Sequence, residues 1–161
     1  AAAAYKSLIQ GLIAQHDVDV KLTYENRYAL MGLADVAAAA SGTVVMEAAL
    51  MGLPCVSLYR LAPLNYMIGR ALVHVEHFTL PNILLGETIQ PELLQDEVEP
   101  HRIAKELLRL YRGESTRDET TAKLRKACER LGPPGASDRV AAKILAAAKR
   151  KRNSGEQHEE L

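Results

Sequence analysis

Ser41-Gly42-Thr43, with the carboxylate of Glu47 one helical turn further on, are the residues of this chain whose types and spacing best suit chemistry. A glycine lets the main chain approach a ligand closely, and a flanking hydroxyl can cap a helix. The unpaired N–H groups of a helix N-terminus, backed by its dipole, attract an anion. A phosphate fits such a turn, although Ser-Gly-Thr is also an ordinary way to begin a helix. Glu47 sharpens the choice. Its helix reads Val44, Val45, Met46, Ala48, Ala49, Leu50, Met51, apolar on every side, so it is expected to be largely buried with Glu47 as its only charge. A buried carboxylate without partners is costly. Two roles stay open for it: accepting both hydroxyls of a ribose behind a bound phosphate, or pairing with Arg27, Arg60 or Arg70.

The elements that must position these residues lie in residues 35–60. An apolar run, Val36 to Ala40, stops at Ser41-Gly42-Thr43; a helix follows to Met51; Gly52 and Pro54 end it; and a second apolar run spans Cys55 to Tyr59. This is the punctuation of a βαβ unit. Two such runs joined by one helix are expected to pair in parallel with a right-handed crossover, which puts the Ser-Gly-Thr turn at the carboxyl edge of the sheet, where open α/β sheets bind ligands. Tyr59 and Arg60 fall at the same edge, and Arg60 has two competing roles there, on a diphosphate or on Glu47.

On either side the alternation of helix and strand continues. Residues 5–15 carry Leu8, Ile9, Leu12 and Ile13 on one stripe and predict an amphipathic helix. Residues 18–23, VDVKLT, alternate as a strand does, and residues 25–33 predict a short helix. A domain opening on a helix suggests that further strands precede it. Pro63 begins an expected packed helix with Leu64, Met67, Ile68, Ala71 and Leu72 on one face. Phe78 to Asn82 is an expected extended run halted by Pro81, with Asn82 as the cap of a helical turn over Ile83 to Leu85. PELLQDE places Glu92, Gln95 and Asp96 at helix-neighbour spacing, suiting either sugar hydroxyls or a solvated face. Three helices are expected after Pro100, at about 100–112, 117–131 and 137–149, each with a single apolar stripe that must be covered by the sheet domain, by a further N-terminal domain or by another subunit. Residues 150–161 lack apolar periodicity and are expected to be a disordered tail.

Composition narrows the function classes. A chain of 161 residues, 48% hydrophobic and 25% charged, has ordinary globular composition, and no apolar stretch is long enough to span a bilayer. A cytoplasmic location is expected. Cys55 and Cys128 have no metal-like spacing and suit reduced structural thiols, and the five histidines are too scattered for a zinc site or a triad, so no metal and no cofactor are expected. Net charge is zero, yet residues 1–100 carry 5 Lys/Arg against 11 Asp/Glu, and residues 101–161 carry 15 against 9. That asymmetry suits docking of the basic part on an acidic surface or on anionic headgroups, or plain solvated helix faces; no nucleic-acid partner is expected.

Three stretches in order, SGTVVMEAALMGLPCVSLYRLAPLNYMIGRALV, FTLPNILLGETIQPELLQDEVEP and GASDRVAAKIL, resemble the C-terminal part of lipid-A-disaccharide synthases, from about Leu22 to Leu145. The resemblance implies an α/β fold, a Rossmann-like parallel sheet with flanking helices that is half of a GT-B architecture. It implies a hexosyltransferase that moves a diacylglucosamine from UDP-2,3-diacylglucosamine to 2,3-diacylglucosamine 1-phosphate and is peripheral on the inner membrane. In such enzymes the asparagine of Leu-Pro-Asn lies beside the donor site, which carries over to Asn82; Ser41, Gly42, Thr43, Glu47 and Arg60 complete the expected donor site, with Glu92 and Gln95 as further sugar contacts. The family's acid/base residues lie in an N-terminal domain, so this stretch alone is expected to bind donor without turnover. The implied domains are 1–112 for the donor and 113–149 for helices that pack on the domain or exchange between the subunits of a homodimer. Two other readings remain: a nucleotide-sugar binding subunit of a two-part transferase, and a structural module that binds nothing, which a UDP titration separates from both.

Overall fold

Four consecutive alanines, Ala37–Ala40, form strand β1 of a computed structural model that describes residues 2–16, 18–62, 66 and 76–156. Alanine is a weak strand former, so β1 owes its conformation to pairing: Ala37 lies opposite Cys55 and Ala40 opposite Leu58 of β2 (Cys55–Tyr59). Helix α3 (Thr43–Leu50) connects the two, and the pair is parallel, as the βαβ reading requires. A third strand, β3 (Glu92–Leu94), adds in parallel to the other edge of β2, giving the order β1-β2-β3. β2 is the centre of the sheet, with Cys55, Val56 and Ser57 all at 0% exposure. Burial pushes the Cys55 thiol up to about 12.

Helices cover both faces. On one, Ala49 of α3, Ile89, and Leu124 and Ala127 of α6 (Glu114–Glu129) form a buried cluster, with Leu84 and Leu85 of α4 (Leu80–Leu85) packed against it. On the other, Val56 of β2, Leu93 of β3 and Leu110 of α5 (Pro100–Arg112) pack together with Ile103 and Leu107. The fold is therefore α/β with a parallel sheet between helices, the Rossmann-like arrangement expected.

Several elements differ from the expectation. PELLQDE is not helical: Pro91 leads into β3, and Gln95–Glu97 form one 3-10 turn after it. Two leucines beside a paired edge gain more from the sheet than the polar spacing gains from a helix. The extended run at 78 ends at Thr79, because Pro81 sits in the first turn of α4, where its missing N–H costs nothing. Residues 18–23 form no strand; Val18 and Val20 are about half exposed, and an alternating pattern without a neighbouring strand has no ladder to join. Helices α1 (Lys6–Gln15) and α2 (Arg27–Leu33) form where expected, yet neither buries a residue. The helix expected from Pro63 lies, apart from Tyr66, outside the described residues.

The chain divides into residues 1–128 and 129–161, which groups nearly all of α6 with the sheet, one of the two packings expected for the helices of 113–149. Its stripe is covered by its own chain, since Leu124 and Ala127 are both at 0% exposure. In the second unit, Gly132-Pro133-Pro134-Gly135 leads into α7 (Ala136–Glu156), and Arg139 donates to the carbonyls of Pro134 at 2.7 Å and Pro133 at 3.0 Å. Helix continues to Glu156, so 150–156 are not the disordered segment expected. Lysine and arginine are good helix formers, and extending an existing helix requires no apolar stripe.

Leu124→Ala should lower stability by about 2–5 kcal/mol, the usual cost of emptying a core leucine site. The urea midpoint should fall accordingly at every protein concentration, whether or not α7 associates between copies. An unchanged midpoint would mean that Leu124 does not fill a packed core site.

Candidate functional site

In a parallel sheet every strand ends on the same edge, so Ser41, Arg60 and Gln95, which follow β1, β2 and β3, share the carboxyl edge. The Ser41 N–H donates to the Leu58 carbonyl at 2.7 Å, which carries the β1–β2 ladder into the turn. Gly42 sits at φ 154°, ψ −161°, a backbone region that favours glycine, and nothing lies within 4 Å of where a Cβ would stand. No side chain caps α3, so neither Ser41 nor Thr43 takes the capping role. Gly42 and Thr43 are exposed and Ser41 is half-buried.

Glu47 lies one turn behind, on a helix whose Val45, Ala48 and Ala49 are buried while Leu50 and Met51 are exposed. Of the three arginines considered, Arg27 is its partner: Nη2 stands 3.2 Å from Oε2, with the two side chains 64% and 22% exposed. The contact is ionic only, because Oε2 is buried and receives no hydrogen bond. The guanidinium is engaged elsewhere as well, donating to the Tyr28 hydroxyl at 2.8 Å and lying 4.7 Å from that ring centre. Arg27 is largely in water while the Glu47 carboxylate is mostly enclosed, so the guanidinium end of the contact is screened and other donors can take its place. Arg70 lies outside the described residues.

Arg60 does not meet Glu47. Its Nη2 donates to the Val98 carbonyl at 2.8 Å, tying the exit of β2 to the loop after β3. Gln95 completes that tie, with Oε1 accepting from Leu61 N–H at 2.5 Å and Nε2 donating to the Leu61 carbonyl at 3.1 Å. Glu92 is turned to the interior, 8% exposed, and its carboxylate accepts from the N–H groups of Phe78 and Thr79 and from the Thr79 hydroxyl, with His77 Nδ1 at 3.8 Å. Asn82 is fully buried and inside α4 rather than at its cap; Nδ2 donates to the Gln90 carbonyl at 3.0 Å, and Oδ1 accepts from Ile89 N–H at 3.0 Å and Gln90 N–H at 3.3 Å. Asn82 thus shapes the approach to β3. The structure brings Ser41, Gly42, Thr43 and Glu47 together on one turn and helix, sets Arg60 and Gln95 along the same edge, and uses Glu92 and Asn82 to hold main chain. Sequence reasoning did not assign these side-chain to main-chain bonds, since a glutamine or asparagine carries no mark of a partner so far along the chain.

A cleft of about 380 Å³ lies elsewhere, lined by Gln90, Arg102, Glu106, Arg109, Thr120 and Lys123 among others, and it includes none of residues 41–47. Its cations are already matched: Arg102 with Glu97 at 2.9 Å, Arg109 with Glu106 at 2.8 Å and Lys123 with Glu87 at 2.6 Å. Among the described residues no three His, Cys, Asp or Glu side chains are grouped to hold a metal, and no helix is long and apolar enough to cross a membrane.

A family model described as lipid-A-disaccharide synthetase matches residues 1–145. The lipid-A-disaccharide synthase of Geobacter sulfurreducens is 39% identical over 137 residues, covering 85% of this chain and 36% of the relative. That of Anaeromyxobacter dehalogenans is 40% identical over 134 residues (83% and 35%), and that of Nitrosococcus oceani is 43% identical over 108 residues (67% and 28%). The chain thus spans about a third of the length of the curated relatives it matches.

Asn82→Ala should cost stability, by about 2–4 kcal/mol for several buried main-chain partners left unpaired. Chemical denaturation beside UDP titration checks this. Unchanged stability with lost UDP affinity would instead make Asn82 a ligand-binding group.

Proposed function

The chain belongs to the lipid-A-disaccharide synthetase family, and from that membership we propose that it is the donor-nucleotide half of a GT-B glycosyltransferase. The enzyme moves a diacylglucosamine from UDP-2,3-diacylglucosamine to 2,3-diacylglucosamine 1-phosphate. The observation that carries the donor assignment is the uncapped N-terminus of α3, approached by Gly42 at the carboxyl edge of a parallel sheet. The diphosphate lies against the Ser41-Gly42-Thr43 amides, with Arg60 supplying a cation. Glu47, released from Arg27, accepts the ribose hydroxyls, an exchange made easy by the exposure of the Arg27 side chain. Transfer then relies on positioning the donor and on stabilising charge as the UDP departs. Because donor and acceptor both carry acyl chains, the enzyme meets them at a membrane surface, as a peripheral protein on the cytoplasmic face of the inner membrane. The excess of Lys and Arg in residues 101–161 suits anionic headgroups there.

Association between copies is assigned to α7, in a homodimer that exchanges this C-terminal helix. Support comes from Val140, Ile144 and Leu145, which are 55%, 63% and 62% exposed, and from the opposite charge of the two parts of the chain. The exchange is narrower than the helices of 113–149, because α6 is covered by its own sheet domain.

In an NMR titration, UDP should shift the amides of Ser41, Gly42 and Thr43, and Glu47→Gln should weaken UDP binding more than it lowers stability, since an amide replaces a charged double acceptor. Unmoved amides at millimolar UDP would remove the donor reading. A Glu47→Gln protein with reduced stability and unchanged affinity would leave Glu47 a structural partner only. Light scattering across a concentration and salt series should find dimers that weaken as salt rises. A strict monomer at high concentration would remove the exchange.

A further inference from the structure

Gln95 stands at φ 53°, one of two non-glycine residues with positive φ among those described. This backbone region is unfavourable for a residue with a Cβ and persists where neighbouring bonds over-determine it. Here those bonds come from the residue's own side chain. Its amide donates to the Leu61 carbonyl at 3.1 Å and accepts from the Leu61 N–H at 2.5 Å, a reciprocal pair of the kind one peptide makes with another in a strand ladder. The last β2–β3 register pair is Tyr59 with Leu94, so the clasp extends the tie between these two strands beyond their last main-chain pair. Arg60 lies between the two fastened residues, Tyr59 and Leu61. Its guanidinium is tethered to the Val98 carbonyl at 2.8 Å, in the loop that Gln95 begins and that the Glu97 carboxylate holds by accepting from Leu94 N–H at 3.2 Å. The bond to Val98 uses one of the five guanidinium N–H groups, so the cation keeps its capacity for a phosphate.

From this geometry we infer that Gln95 is a positioning residue: its clasp on Leu61 holds Arg60 at the carboxyl edge in the orientation in which the guanidinium meets the donor diphosphate. The inference rests on the donor-site reading proposed above and assigns Gln95 to main chain instead of to sugar hydroxyls. Glutamine suits the task because it presents one donor and one acceptor side by side. Glutamate at this position would keep the acceptor for Leu61 N–H and lose the donor for its carbonyl, and alanine would lose both.

The test is a double-mutant cycle on UDP binding by the full chain, with Arg60→Ala, Gln95→Gly and the two combined, read by calorimetry. Gln95→Gly removes the clasp while relieving the positive φ, which keeps the fold intact. Each single change should weaken UDP by about tenfold, the loss of one charge-assisted bond, and the combination should be no weaker than Arg60→Ala alone. Gln95→Glu should fall between the unsubstituted chain and Gln95→Gly. Independent, multiplying effects would mean that Gln95 does not act through Arg60, and an unaltered affinity in Gln95→Gly would overturn the proposal outright. A second readout, the ¹⁵N relaxation of the Arg60 side-chain Nε–H, separates this inference from the donor reading. If the unsubstituted chain binds no UDP, the donor reading falls and with it the diphosphate role of the clasp. Greater Arg60 mobility in Gln95→Gly would then still establish the clasp as the holder of Arg60, and unchanged mobility would refute that as well.

Discussion

The parallel pairing of β2 with a strand on each side is the constraint on which the rest of the structure depends. Its first three residues, Cys55, Val56 and Ser57, are wholly buried, and Val56 packs in the cluster with Leu93 and Leu110, so a slip by one residue would take Val56 out of that core. Parallel pairing also sends every strand exit to one edge. The turn after β1, Arg60 after β2 and Gln95 after β3 are neighbours for that reason alone, although more than fifty residues separate the first from the last.

What could be read from the sequence divides along the range of the interactions involved. The strand, turn, helix and strand over residues 36–59 were legible because apolar runs, a glycine turn and a helix stop are local signals, and the helices after Pro100 were legible from their single stripes. β3 was missed because three residues are too few to show a period, and the polar spacing of Glu92, Gln95 and Asp96 imitates a helix face. VDVKLT shows the opposite failure, a correct-looking alternation that forms no strand among the described residues because nothing pairs with it. The covering of α6 was not readable either. Its stripe is visible in the sequence, but the surface that receives it, Ala49 and Ile89, is assembled only when the sheet forms.

The candidate site follows the same division. Ser41, Gly42, Thr43 and Glu47 were legible as a group because they lie within seven residues of one another. Glu92, Gln95 and Asn82 were legible only as polar residues in suggestive places, and the structure uses each to hold main chain: Glu92 at Phe78 and Thr79, Gln95 at Leu61, Asn82 at Ile89 and Gln90. The strength of these contacts differs from that of the Glu47 pair in a way that suits a binding edge. Asn82 and Glu92 make buried bonds whose loss leaves main chain unsatisfied, whereas the Arg27 partner of Glu47 is largely in water and easily displaced.

Diffraction from crystals of the chain grown with UDP tests the central claim most directly. The account places the two phosphates against the amides at the N-terminus of α3, beside Gly42, with the guanidinium of Arg60 within hydrogen-bond reach and the ribose hydroxyls on Glu47 in place of Arg27. Nucleotide density in the cleft between α5 and α6, with the Gly42 turn empty and Glu47 still paired with Arg27, would contradict it.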